Sequence, residues 1–312
     1  MFPYTPAALG PTAALARNLG ASLVGRPLAP ATIWRDLHDA GRLLGTEGLV
    51  QIALAGLDMA LWDALAVRAG LPLCALLGAE PRPVPIYASL RGWGPDMLAA
   101  EAARAVATLG ARHVKFKIGH ARLEDDLATI RAVRAAVGPE VAIMVDYNQA
   151  LTLPEAERRG RAIEALDVRW IEEPLPVQDD AGLAALARRL AVPIQGGENW
   201  WGPPGMQRAR MVGAVDLCMP DAMKIGGVTG WMRAAAMAAA HRIPMSSHIF
   251  VEASVQLLNV TPTAHLLEHL DIAAPLLAEP LAVKEGMALV PDRPGTGIVW
   301  NEAALAAHAT DA

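Results

Sequence analysis

Three acidic residues, Asp146, Glu172 and Glu198, each follow a run of apolar residues, and consecutive members stand 26 residues apart. If those runs are neighbouring strands, the three carboxylates converge and would repel one another unless a cation lay among them. Oxygen ligands of this kind suit Mg²⁺, with Mn²⁺ as the second choice. Three unrelated surface salt bridges are the alternative, but flanking sequence such as Ile143-Met144-Val145 favours a buried metal site.

Two further sets of residues could move protons. Lys115 and Lys117 are two positions apart, so on a strand both side chains point to one face. Two ammonium groups in one dry site would repel each other, which would lower their pKa values and leave a base near neutrality. His248 and Asp221 end two later apolar runs, and an aspartate that accepts a hydrogen bond from an imidazole raises its basicity. A pair of surface lysines and a core histidine are the alternative uses.

This arrangement places one base on each side of a metal ion, which suits a carbon acid bound between them. The metal would bind a substrate carboxylate and stabilise the enediolate that forms when the neighbouring C–H bond ionises. Glu268 follows His248 by 20 residues and could donate a hydrogen bond to the developing oxyanion if burial raised its pKa. A plain surface glutamate is the alternative at that position. The sequence therefore predicts abstraction of a proton next to a carboxylate.

The strands of one sheet must position these residues. From residue 84 onward, short apolar or β-branched runs alternate with Ala-rich helical stretches, and the ionisable residues at the run ends are spaced by 23 to 29 residues. Such alternation predicts βαβ units, and about eight of them close a barrel whose active site lies at the carboxyl ends of the strands. The predicted strands are Val84–Ser89, Val114–Ile118, Val141–Asp146, Val168–Glu172, Val192–Glu198, Val215–Asp221 and Ile243–His248, and the predicted helices between them include Met97–Leu109, Leu123–Val137 and Thr229–His241.

Composition excludes several other classes of protein. A net charge of −5 argues against nucleic-acid binding, and no GxGxxG follows a predicted strand, which argues against dinucleotide binding. Asp58, Asp63 and Arg68 interrupt the apolar stretch from Leu49 to Leu71, so a core helix is favoured over a membrane span. The two cysteines lack a CxxC spacing and are interpreted as reduced thiols. Because no signal peptide is recognised, a cytoplasmic location is expected.

Seven segments resemble the mandelate racemase subgroup of the enolase superfamily, the mandelate racemase/muconate lactonizing enzyme family. Their order and spacing match those of the family along essentially the whole chain. The segments are residues 115–119, 144–149, 170–174, 197–200, 219–231, 246–248 and 261–268.

The resemblance implies an α/β fold, namely a modified TIM barrel of (β/α)7β form with a partial, mainly helical N-terminal capping domain. Residues 1–80 would be the helical remainder of that cap, residues 81–275 the barrel, and residues 276–312 a C-terminal segment that returns to the cap and ends in a short helix. Family members open with cap strands and a mobile lid, which this sequence does not contain. An upstream start and a natural truncation both remain open at this point.

The resemblance also implies a role for each site residue. Mg²⁺ would be held by the three carboxylates at positions 146, 172 and 198. The remaining catalytic roles fall to Lys117 as the base for one enantiomer, His248 as the base for the other, Lys115 as the group that neutralises the substrate carboxylate, Asp221 as the group that orients the imidazole, and Glu268 as the donor to the enediolate. Asn148 would contact the α-hydroxyl group, and Lys224 is a further predicted substrate-binding residue.

Three functions fit these features. The first is Mg²⁺-dependent racemisation of a mandelate-like α-hydroxy carboxylate, and the second is dehydration of an acid sugar by the same site. The third is an inactive, lidless barrel with a structural or interaction role. The expected partner is a small-molecule α-hydroxy carboxylate, with no nucleic acid and no membrane, and the expected assembly is a homo-oligomer.

Overall fold

The computed structural model describes residues 1–309, and its first part is helical, as predicted. A short 3₁₀ turn precedes the first helix, and a loop that contains Gly25-Arg26-Pro27 breaks the chain between the first two helices. Gly25 supports that break because its φ of 81° lies in the left-handed region that glycine tolerates. The helices are α1 (Leu9–Ala21), α2 (Pro30–Gly41), α3 (Leu49–Ala69) and α4 (Leu73–Leu76).

Six parallel strands, adjacent in chain order, form most of the barrel wall. Helices alternate with these strands, which is the predicted βαβ arrangement. The strands are β1 (Val84–Ser89), β2 (His113–Lys117), β3 (Ala142–Asp146), β4 (Val168–Glu172), β5 (Ile194–Gly196) and β6 (Leu217–Cys218). The helices that follow them are α5 (Pro95–Leu109), α6 (Leu123–Val137), α7 (Leu153–Ile163), α8 (Asp180–Arg189), α9 (Gly202–Val212) and α10 (Gly227–Ala240).

The seventh strand position is irregular, which corrects the predicted strand Ile243–His248. Met245 in this segment forms isolated parallel bridges with Cys218 on one side and Ala264 on the other, so the wall stays continuous there. Helix α11 (Val251–Asn259) follows it. The barrel closes where β7 (Leu267–His269), the eighth strand of the wall, pairs in parallel with β1. No regular helix follows β7 among residues 270–301, so the barrel has the (β/α)7β form.

Two further strands end earlier than predicted, which places their acidic residues in the loops above them. β5 ends just before Gly197, whose φ is 139°; a Cβ atom there would lie 3.0 Å from the backbone nitrogen of Met219. Glycine alone fits this conformation and this space, so the strand ends here. Glu198 lies in the turn that follows. β6 likewise ends before Asp221, which keeps an isolated parallel bridge with His248.

Helix α3 joins the N-terminal helices to the barrel. It contacts α1, α2 and α10, and the carboxylate of Asp58 accepts hydrogen bonds from the backbone nitrogen and the hydroxyl of Thr229 at the start of α10. Within residues 1–309, α3 is the one helix long and apolar enough to cross a membrane, with a mean hydropathy of 1.5. Since 39% of the apolar stretch in this helix is buried, the interpretation as a core helix stays a prediction.

The C-terminal segment adds a small element that the sequence did not predict. β8 (Val283–Lys284) and β9 (Met287–Ala288) form an antiparallel pair, and β9 pairs with the start of β1. The chain then runs beside α3, where Asp63 accepts hydrogen bonds from Thr296. Helix α12 (Glu302–His308) is the predicted terminal helix. The domain boundaries at residues 80 and 275 stay predictions.

Candidate active site

The carboxylates of Asp146, Glu172 and Glu198 converge at the carboxyl ends of β3, β4 and β5. Each offers an oxygen, and these oxygens all lie within 4.8 Å of one another. Asp146 and Glu172 are the last residues of adjacent strands and pair in register, while Glu198 reaches the same point from the loop after β5. The structure therefore brings together the three residues that the sequence singled out as metal ligands.

The environment of the triad fits a divalent cation. Asp146 and Glu172 are almost fully buried, and burial, joined by the neighbouring carboxylates, raises the pKa of both groups. Glu172 is held by the indole nitrogen of Trp170 at 3.3 Å and by the amide of Gln195 at 3.1 Å. Three converging hard oxygen ligands that neighbouring side chains hold in position are the donor set that Mg²⁺ and Mn²⁺ prefer.

Lys115 lies among these acids. Its ammonium group pairs with Glu172, with Glu268 at 2.9 Å and with Asp146 at 3.6 Å. Burial alone would lower the pKa of Lys115, but these carboxylates outweigh burial and hold the pKa well above the usual value. The expectation of two lysines with lowered pKa values is therefore wrong for Lys115, because acidic neighbours dominate its surroundings.

Lys117 lies on the same strand but in a different environment. It is the last residue of β2, pairs in register with Asp146, and is exposed. The expectation that both lysines share a dry site is wrong for this reason. Its backbone position next to Asp146 still places Lys117 beside the triad, with an exposed side chain.

His248 lies beside another member of the triad, Glu198. Its Nδ1 lies 2.6 Å from Asp221 and its Nε2 lies 3.2 Å from Glu198. Burial lowers the pKa of the imidazole, but Glu198, Glu268 and Asp221 together raise it to about 10. Asp221 is itself held by the backbone nitrogens of Met223 and Lys224, which fixes the orientation of the imidazole.

Glu268 reaches the centre of the site from β7 and is 1% exposed. Burial would raise its pKa, but Lys115 and His248 lower it to about 2. One of its carboxylate oxygens also accepts a hydrogen bond from the backbone nitrogen of Ile249 at 2.9 Å. The expectation that burial raises the pKa of Glu268 is thus wrong in this arrangement, because two cationic side chains face the group.

Two of the predicted substrate-binding residues, Asn148 and Lys224, already have protein partners. Asn148, exposed and with a φ of 42°, donates from its backbone and side-chain nitrogens to Asp146 at 2.7 and 3.0 Å. The ammonium group of Lys224 donates to the side-chain oxygen of Asn199 at 2.5 Å. Their contacts with substrate stay predictions.

Several neighbours of the site were not singled out from the sequence. The hydroxyl of Tyr4 is buried and makes no hydrogen bond of normal geometry within residues 1–309, but it lies close to Asp221, and burial together with Asp221 and Glu198 raises the pKa of this tyrosine. Glu173 and Asn199 adjoin two of the predicted ligands and hydrogen-bond to each other at 2.7 Å. The acidic and amide residues beside the ligands were a usable signal, whereas nothing in the sequence marked the lone tyrosine.

A cavity of about 480 Å³ lies between the N-terminal helices, the start of α11 and the C-terminal segment. None of the predicted site residues lines it, but Ile249, which follows His248 in the chain, and Leu270, two residues after Glu268, are part of its wall. Most of the lining is apolar, and cap residues complete it. The cap and C-terminal side chains that line it include Phe2, Met59, Ile272, Leu276, Ile298 and Trp300.

Comparison with known proteins agrees with this geometry. The family described as mandelate racemase/muconate lactonizing enzyme, N-terminal domain, matches residues 1–78, and the enolase C-terminal domain-like family matches residues 97–304. The fold and the site thus define a (β/α)-barrel of the enolase superfamily. Within that superfamily, the chain belongs to the mandelate racemase/muconate lactonizing enzyme family.

Similar proteins differ in what they bind or transform. An enolase from Bradyrhizobium, solved with magnesium and mandelic acid, is 45% identical with a TM-score of 0.94, and the match covers 98% of this chain and 85% of that one. An L-talarate dehydratase from Polaromonas, solved with magnesium and L-glucarate, is 33% identical with a TM-score of 0.89 over 95% and 84% of the two chains. The L-talarate/galactarate dehydratase of Salmonella typhimurium is 33% identical over 93% of this chain and 73% of its own length.

Proposed function

We propose that this protein is a Mg²⁺-dependent racemase of an α-hydroxy carboxylate whose second α-substituent is apolar. Members of its superfamily are enzymes, and similar structures hold magnesium. The observation that carries the proposal is that two groups able to transfer protons neighbour different members of the acidic triad. Lys117 stands beside Asp146 and His248 stands beside Glu198.

Racemisation requires two groups of this kind. A base on one face of the α-carbon removes its proton, and an acid on the other face returns a proton with inverted configuration. A lysine amine and an imidazole can each serve in either capacity, so either enantiomer is a substrate. A divalent cation held by Asp146, Glu172 and Glu198 would act as a Lewis acid for the substrate carboxylate.

The chain's own residues supply the remaining charge stabilisation. Lys115, which pairs with carboxylates of the protein, would turn part of its hydrogen bonding to a substrate carboxylate. Glu268 would then lose that cationic neighbour, and a proton on Glu268 would allow it to donate to the enediolate oxygen. Asp221 keeps the imidazole of His248 in one tautomer throughout.

The apolar cavity supports the choice of substrate. A polyhydroxylated acid sugar would lose hydrogen bonds to water in a space lined by Phe2, Ile249 and Ile272. An aromatic or branched aliphatic group gains about 25 cal/mol for each Å² of apolar surface that it buries there. The proposed substrate is therefore a mandelate-like acid whose α-substituent would occupy this cavity, and the 45% identical enolase from Bradyrhizobium was solved with mandelic acid.

The proposal is tested with the purified protein, Mg²⁺ and one enantiomer of mandelate. Chiral chromatography should follow the conversion to a 1:1 mixture, and the reverse reaction from the other enantiomer should reach the same end point. If no α-hydroxy acid of an aromatic and aliphatic panel loses optical purity, the proposal is wrong.

Acid-sugar dehydration is the second candidate function, favoured by the names of the curated relatives. The same bases would remove the α-proton, and the Asp221–His248 pair would protonate a departing β-hydroxyl group. A panel of aldonates and aldarates, assayed for 2-keto acid products, separates the two candidates. Production of a keto acid without racemisation of any mandelate-like acid would favour the dehydratase.

A further inference from the structure

Lys224 is a buried cation that pairs with no carboxylate within residues 1–309. It is 6% exposed, and no acidic oxygen lies within ion-pair distance of its ammonium group, which instead donates to the side-chain oxygen of Asn199 at 2.5 Å. The rings of Tyr4 and Trp201 lie 4.1 and 5.8 Å from the ammonium nitrogen. Burying a lysine without an acidic partner costs free energy. The hydrogen bond from Lys224 to Asn199 is therefore expected to have a role in the site.

The amide group of Asn199 faces two acids. Its nitrogen donates to Glu173 at 2.7 Å and to the predicted metal ligand Glu198 at 3.1 Å. If the amide flipped, its oxygen would face both carboxylates and its NH₂ group would face the ammonium of Lys224, so every contact would become repulsive. Lys224 therefore holds the amide in the one orientation that donates to Glu198.

The direction of the Glu198 carboxylate matters because Asn199 and His248 both contact it. Its other oxygen lies 3.2 Å from Nε2 of His248, and, unlike Asp146 and Glu172, it comes from a loop and not from the end of a strand. A ligand on a loop depends on outer contacts for its direction, and loss of such contacts typically reduces metal affinity 10- to 100-fold.

We propose that Lys224 and Asn199 act together as positioning residues that aim Glu198 at the metal. The line of contacts runs from the ring of Tyr4 through the ammonium group and the amide to Glu198. It links the N-terminal segment to the metal centre. The proposal concerns the metal centre alone and does not depend on which substrate the site accepts.

The substitution Lys224→Met should have two opposite effects on the affinity for Mg²⁺. Removal of a positive charge near a cation site would by itself tighten Mg²⁺ binding, whereas loss of the amide's orientation weakens it. The proposal predicts that titration calorimetry with Mg²⁺ alone shows about 10-fold weaker binding. Unchanged or tighter binding would overturn it. Lys284→Met, an exposed lysine on β8, is the matched control and should bind Mg²⁺ like the unaltered protein.

A second variant keeps the test decisive if the first does not fold. Asn199→Leu removes the donor to Glu198 while keeping the size of the side chain, and it should weaken Mg²⁺ binding by at least as much. The double variant should bind no more weakly than Asn199→Leu alone, because both residues act through one contact. Additive losses would contradict a shared role. Melting temperatures in EDTA separate these effects from general destabilisation.

Discussion

Ionisable side chains within the site set one another's protonation. Lys115 faces three carboxylates and keeps its proton, and for the same reason Glu268 is held ionised with a pKa of about 2. His248 gains basicity from Glu198, Glu268 and Asp221. A divalent cation on the triad would oppose the attraction between Glu198 and the imidazole, and a substrate carboxylate would compete for Lys115. The site therefore offers carboxylates to a divalent cation and an ammonium group to a substrate carboxylate.

Tyr4 offers a test at the scale of one residue. Its buried hydroxyl lies near Asp221 and Glu198 without a hydrogen bond of normal geometry within residues 1–309, and such groups are usually satisfied by a ligand or by water. Tyr4→Phe should raise the KM for substrate by about 10-fold, which corresponds to about 1.4 kcal/mol, with little change in melting temperature. Steady-state kinetics on both enantiomers measure this effect. An unaltered KM would place the hydroxyl outside the substrate site.

Some features of the site residues were predictable from the sequence and others were not. Asp146 and Glu172 were predictable because they end strands at a regular spacing, and parallel strands bring such residues together. The ionisation of Glu268 was not, because it depends on Lys115 reaching across the barrel from β2. The approach of Tyr4 to the site was equally hidden, since it depends on how the N-terminal segment packs and not on any local pattern.

At the scale of elements, regular structure was predictable where the sequence pattern was strong. Helix α6 spans Leu123–Val137 as predicted, and β1 and β4 have their predicted bounds. β5 and β6 are shorter than predicted, because the predicted runs included residues of the turns after the strands, among them Glu198 and Asp221. The seventh strand position has bridges to both neighbours, but its irregular pairing depends on tertiary contacts that no local pattern encodes.

The contact between α3 and α10 can be tested through Asp58. Its carboxylate accepts two hydrogen bonds from Thr229, so Asp58→Ala leaves a buried backbone N–H group without a partner and should cost about 1–3 kcal/mol of unfolding free energy. Urea denaturation measures the loss, and Asp292→Ala, in the C-terminal segment, is a comparison variant. A loss no larger than that of Asp292→Ala would contradict this role.

The pH dependence of stability tests the same residue. Burial raises the pKa of Asp58 to about 7 from an ordinary value of 3.8, so between these two pH values the folded chain binds more protons than the unfolded chain. The stability that Asp58 contributes is then fully present below pH 3.8 and is lost as the pH rises through about 7. Asp58→Asn should flatten the decline of the unfolding free energy in that window. An identical slope in the variant would contradict the raised pKa.

For the whole molecule, metal binding should stabilise the fold. A ligand at 100 times its Kd that binds only the folded state adds about 2.7 kcal/mol, so Mg²⁺ should raise the denaturation midpoint relative to EDTA. Glu172→Gln removes a charged ligand from the centre of the triad and should abolish most of this gain. Equal stabilisation of the variant and the unaltered protein would place the metal elsewhere.

Assembly is also a property of the whole molecule, and we expect a homo-oligomer. Leu43 and Leu44, in the loop between α2 and α3, are 97% and 77% exposed, and neighbouring exposed apolar side chains favour contacts between copies. Sedimentation velocity at micromolar concentration should show a species larger than the monomer. Leu43→Asp with Leu44→Asp should shift the distribution toward the monomer if this surface takes part.

Hydrogen–deuterium exchange at the α-carbon by single-base variants tests the two-base geometry most directly. In D₂O with Mg²⁺, Lys117→Met should lose exchange for one enantiomer of mandelate by about 10²- to 10⁴-fold and retain it for the other. His248→Asn should show the reverse pattern. If both variants, folded and able to bind Mg²⁺, lose exchange equally for both enantiomers, the two groups do not act on opposite faces of the substrate.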